Sequence, residues 1–116
     1  MRAKARVSAS RDTQLVQVAT FPLLKPYRAE LFDDVARELQ VRMREIAGQT
    51  NGTLAGARTV QADGIRSHAY DVNVGDHVDE YTFVLRGMRE YQLLCRRKSS
   101  AADDTCRALI TSFRLL

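Results

Sequence analysis

HVDEYTFVLRGMREYQLLCRR, residues 77–97, is the stretch on which the fold turns. In an extended chain successive side chains point to opposite faces. Tyr81, Phe83 and Leu85 therefore share one face, and Glu80, Thr82 and Arg86 the other. Gly87 interrupts the pattern, which resumes with Tyr91, Leu93 and Cys95 on one face. Arg89 and Arg97 fall on that same parity, so the ends of this second strand are expected to reach solvent. Two alternating strands hinged on a glycine read as an antiparallel pair, since strands of parallel sheets are apolar on both faces.

Working upstream, Gly75-Asp76 and Asp63-Gly64 are turn dipeptides, and they bound strands at residues 65–74 and 54–61. Residues 54–97 thus predict a meander of four strands. Before it, Leu31, Phe32, Val35, Ala36, Leu39, Met43, Ile46 and Ala47 recur at spacings of three and four. That is one apolar stripe of a helix over residues 27–47, with Gly48 as its left-handed stop and Asn51-Gly52 in the loop beyond. Pro22 and Pro26 are expected to end strand structure, because proline cannot donate to a ladder. Ahead of them, residues 5–10 and 14–21 read as a hairpin broken at Arg11-Asp12-Thr13. Downstream, Ser100 and Asp103 form a helix-start signal for a second helix with Ala102, Cys106, Leu109, Ile110 and Phe113 on its apolar side.

The fold class that follows is α+β: a single antiparallel β-sheet in the order β-β-α-β-β-β-β-α, packed with one long and one C-terminal helix. The 116 residues make one domain, able to bury about two-thirds of its unfolded surface. A hydrophobic fraction of 45% and a charged fraction of 28% are ordinary for a globular chain, and no apolar run approaches the length of a membrane span. The basic start, Met1 to Arg11, lacks the apolar segment of an export signal, so the chain is read as a fragment of a longer exported or anchored protein.

The net charge of +4 comes from dispersed arginines interleaved with acids. Only Arg96, Arg97 and Lys98 form a compact basic cluster, a contact patch for a partner or acidic lipid if it is not simply a solvated strand end. Convergence of such residues on one face would instead mark a cytosolic nucleic-acid or regulatory module.

Cys95 lies on the apolar face of the last strand and Cys106 on that of the last helix. A helix folding back over its strand brings the two together, and a disulfide is favoured over two buried thiols. A disulfide places the domain outside the cytosol. No catalytic constellation is recognisable. The serines lie in no nucleophile elbow, and Ser67 and His68 point to opposite faces. His77 and Asp79 share a face but supply two ligands where a metal site needs three or four, so no metal and no cofactor is expected. The one ligand pocket the pattern suggests, between sheet and long helix, would be lined by His68, Tyr70 and Tyr81. The alternative is that these rings are core.

The run YTFVLRGMREYQLLCR (residues 81–96), followed by CRALITSFRLL (residues 106–116) with its Ser112-Phe113-Arg114-Leu115 tail, resembles bacterial members of the PsbP-like superfamily. The resemblance covers residues 54–116 and, loosely, the long helix. It rests on fold patterns and carries over no active-site residue. The chain departs from the family in having no Trp and no Pro-x-x-Trp-like opening. The resemblance implies an exported, non-enzymatic accessory or binding domain of the cell envelope, acting through protein or small-ligand contacts. A small-ligand carrier or enzyme using the pocket is the alternative.

Overall fold

A computed structural model describes residues 3–4, 13–100 and 104–115. Its elements are β1 (Ala3–Lys4), β2 (Thr13–Tyr27), α1 (Phe32–Gln49, entered through a 3-10 turn at Ala29–Leu31), β3 (Thr53–Ala62), β4 (Ile65–Val74), β5 (His77–Lys98), α2 (Asp104–Ser112) and β6 (Arg114–Leu115). The chain is α+β, with one antiparallel sheet of four elements in the order β2-β5-β4-β3 and a short separate pairing of β1 with β6.

β5 is an unbroken run of 22 extended residues. Laid straight it would span about 70 Å at 3.3 Å per residue, whereas the longest dimension of the molecule is 38 Å. It doubles back at Gly87, whose φ is 59°. The Ser99 amide donates to the Asp76 carbonyl at 2.8 Å, and Arg96 meets Asp79. Both pairs lie symmetrically about a Gly87-Met88 loop, as a two-residue hairpin with glycine first requires. The first half of β5 pairs with β4 (Tyr70 opposite Tyr81) and the second half with β2 (Val18 opposite Leu93). The four-strand meander expected over residues 54–97 is thus present. Asp63 and Gly64, both at positive φ, make the β3–β4 turn, and Gly75 begins the β4–β5 turn.

The two sheet faces carry separate cores. Leu39, Met43 and Ala47 of α1 pack on Tyr70, Val72, Tyr81, Phe83 and Leu85. On the opposite face Cys106 and Leu109 of α2, with Phe113 just beyond it, pack on Val84, Tyr91, Leu93 and Cys95. The Cys95–Cys106 disulfide joins α2 to its strand, with Cα atoms 5.8 Å apart.

Three local expectations are corrected, for β2, for the first helix and for Arg97. β2 continues through Pro22 and Pro26 instead of stopping there. It stands at the end of the sheet among the described residues, where a missing N–H costs no ladder bond. Among the described residues it pairs with β5, and Ala3–Lys4 pairs with β6; residues 5–10 of the expected hairpin lie outside the described residues. The helix begins at Phe32, after Tyr27 has been used by β2, and it does not stop at Gly48. The left-handed residue is Asn51, at φ 56°. Gly52 N–H donates to Ala47 at 2.7 Å and Asn51 N–H to Gly48 at 3.3 Å, the two bonds of a Schellman ending. Lastly, Arg97 does not reach free solvent; its side chain is 15% exposed and bonds Glu80. Of the expected start of the second helix, Ser100 lies in a turn, Asp103 and the stripe residue Ala102 fall within the undescribed 101–103, and α2 is described from Asp104.

Candidate functional site

His68, Tyr70 and Tyr81 do lie on the α1 face, but as interior packing. His68 stacks on Phe32 at 3.9 Å between ring centroids, and the Arg66 guanidinium sits 3.8 Å from the same centroid. Burial, then the charge of Arg66, push His68 below its ordinary pKa, and Asp33 opposes them. Its Nε2 is buried with no hydrogen-bond partner among the described residues. The Tyr70 hydroxyl reaches the Ala36 carbonyl at 3.4 Å, and its ring meets Phe83 edge-on. Burial raises the pKa of both Tyr70 and Tyr81.

The basic trio is split by strand alternation. Arg96 points to the α1 face and grips Asp79 through Nε (2.8 Å) and Nη2 (3.2 Å). Arg97 points to the α2 face and donates to Glu80 at 2.7 Å, where Arg58 bonds both Glu80 (2.7 Å) and Asp71 (2.8 Å). Asp79 and Glu80 are 2% and 7% exposed. The adjacent acids of one half-strand are thus matched, face by face, by adjacent arginines of the other. Burial pushes Glu80 above its ordinary carboxylate range, outweighing the Arg97 hydrogen bond and the Arg58 charge that pull it down. The trio therefore offers no single basic face. His77 lies 3.6 Å from Asp76 and 3.8 Å from Asp79, the latter already held by Arg96. Among the described residues no group of three or more His, Cys, Asp or Glu is arranged to hold a metal.

A concave feature lies elsewhere, between β2 and α1. Pro22 is opposite Arg89 and Tyr27 opposite Gly87. β2 therefore advances five residues while β5 advances two, and the three extra residues bow the Leu23–Pro26 segment away from the ladder. Leu24 at the bow is fully exposed. Between the bow and the first three turns of α1 lies a groove of about 800 Å³. Val35 and Leu39, one turn apart, form its helical wall; Phe21 and Leu23 form the strand wall; Leu85 contributes to the floor. This is mostly apolar lining within the size range of small-ligand sites, about 300–1,000 Å³.

Its polar floor is compact. Glu90, 5% exposed, accepts a 2.9 Å bond from Arg42 Nη1, and Gln92 lies beside them. Arg42 remains 46% exposed and its guanidinium lies 5.6 Å from the Phe83 ring centroid. Lys25, Asp34 and Glu38 stand around the groove, Asp34 engaged by Arg37.

Sequence reasoning placed a pocket between sheet and long helix but chose other residues. The available signal was the FPLLKP run, residues 21–26: apolar residues bracketed by prolines, with no alternation to bury them. No helix among the described residues is long and apolar enough to cross a membrane. No family model, curated protein or solved structure matches the chain.

Proposed function

We propose that the chain is a non-enzymatic binding domain of the bacterial cell envelope, working as an accessory module of a longer exported or anchored protein and taking an apolar ligand in the β2–α1 groove. The observation that carries the binding reading is the groove itself. It is an apolar-walled concavity with one half-buried ion pair in its floor, and Phe21 and Leu24 at its strand wall are exposed. Exposed apolar side chains gathered at a cleft mark ligand or partner sites, where a single surface leucine would not. The compartment is supported by the Cys95–Cys106 bond, since disulfides persist in oxidising surroundings. The accessory role is supported by the PsbP-like pattern of residues 81–96 and 106–116.

A nucleic-acid reading has less support, because Arg96 and Arg97 face opposite ways and are spent on Asp79 and Glu80. The test is titration with the neutral apolar dye N-phenyl-1-naphthylamine. Saturable fluorescence enhancement, lost in Phe21→Glu, is expected. Enhancement that does not saturate, or that survives Phe21→Glu unchanged, would refute the groove as the binding site.

A further inference from the structure

The polar floor of the groove restricts what kind of ligand fits there, an inference that rests on the binding role given above. We propose that the groove takes an uncharged amphiphile, an aliphatic chain bearing an ester, amide or hydroxyl head, and that the head docks on the Arg42–Glu90 pair.

The argument is one of charge. Arg42 and Glu90 are 2.9 Å apart and cancel each other in the groove floor, with Lys25, Asp34 and Glu38 around its rim. Glu90 is almost wholly removed from solvent, so its charge is poorly screened. A carboxylate head brought to the Arg42 donors would also lie against the Glu90 carboxylate. An ammonium head brought to Glu90 would lie against the Arg42 guanidinium. Each charged head therefore gains one attraction and meets one repulsion while losing its own hydration. A neutral head loses far less hydration. It accepts from the guanidinium N–H groups that Glu90 does not use, since Arg42 bonds Glu90 through Nη1. A head that also donates has the Glu90 carboxylate, with Gln92 also in the lining. The chain of the ligand runs over Val35, Leu39 and Leu85, where each buried methylene adds affinity.

The experiment is calorimetric titration with three probes of equal chain length below their micelle concentrations: decanoylglycerol, decanoate and decylammonium. The expected order puts decanoylglycerol about tenfold or more ahead of either ion, the penalty for one desolvated charge. Arg42→Met leaves Glu90 as the unpaired charge of the groove floor and should move the preference to decylammonium. Glu90→Gln leaves Arg42 and should move it to decanoate. Backbone amide spectra of each variant establish that the fold is kept. Equal affinity for all three heads in the wild type, with shifts at groove residues, would overturn the neutral-head inference and leave the groove standing as a binding site. Binding of none of them, with groove resonances unmoved, would overturn both.

Discussion

Replacing Arg96 with alanine isolates the contact that fixes how β5 folds on itself. Asp79 is 2% exposed and receives two N–H bonds from Arg96 across the hairpin, with His77 Nε2 the next nearest cation-forming group at 3.8 Å. Arg96→Ala leaves this carboxylate buried without its guanidinium. Breaking a buried pair from one side costs about 3–5 kcal/mol. The Arg96 side chain is 43% exposed, so water can enter the space it leaves, and that discount brings the expectation to about 2–3 kcal/mol. For a chain of this size each kcal/mol moves Tm by about 4 °C, hence a fall of about 8–12 °C by calorimetry. Asp79→Asn combined with Arg96→Ala removes the stranded charge and should recover more than about 1 kcal/mol of the loss, a coupling that urea titration of the four-member cycle measures. A single-mutant cost under about 0.5 kcal/mol, with no coupling to Asp79, would refute the reasoning. The two halves of β5 would then not pair in the register that puts residue 79 opposite residue 96.

Four further outcomes follow from particular residues. Removing both cysteines (Cys95→Ala with Cys106→Ala) frees a crosslink of sequence separation 11 and should cost about 3 kcal/mol in the chain-entropy model, read as a Tm fall of about 12 °C. Gly52→Ala places a Cβ 2.8 Å from Val72 and Val74 methyls and 2.9 Å from the Asn73 carbonyl, and should cost about 1–3 kcal/mol. Gly48→Ala, inside α1 with nothing within 4 Å, should stabilise by about 0.5–1 kcal/mol, both read from urea midpoints. Because His68 is held below its ordinary value of 6.5, the unfolded chain takes up its proton first. Stability is therefore full above about pH 6.5 and falls with decreasing pH until native His68 itself protonates. Glu80, raised by burial, works the other way, its contribution present below 4.5 and lost as pH rises through its native value. The difference between wild type and His68→Gln thus isolates the histidine, and a pH-independent difference between about pH 7.5 and pH 5 would contradict its buried, neutral state.

What could be read from the chain, and what could not, divides along physical lines. The meander was legible because its turns need special backbone: Asp63-Gly64, Gly75 and Gly87 all take positive φ, and only a few residue types do so readily. The disulfide was legible because strand parity and helix periodicity each put one cysteine on an inward face. The run of β2 through two prolines was not, since proline excludes only interior strands and edge position is a property of the whole sheet. The match of Asp79 and Glu80 with Arg96 and Arg97 needed the hairpin register, and without it the arginines read as a surface patch. The groove depended on a register slip between β2 and β5, of which the FPLLKP run is the one local trace; of the residues expected to line a pocket, His68 and Tyr70 are covered by Phe32 and Ala36 of α1, and Tyr81 lies in the same core.

The most direct test of the binding account is a nuclear Overhauser measurement on the protein saturated with N-phenyl-1-naphthylamine. Cross-peaks from the dye to the side chains of Phe21, Val35 and Leu85 are the expected result, because these surround the β2–α1 groove. Cross-peaks confined to the opposite face, around Leu109 and Phe113, or the absence of any to the groove at saturation, would contradict it.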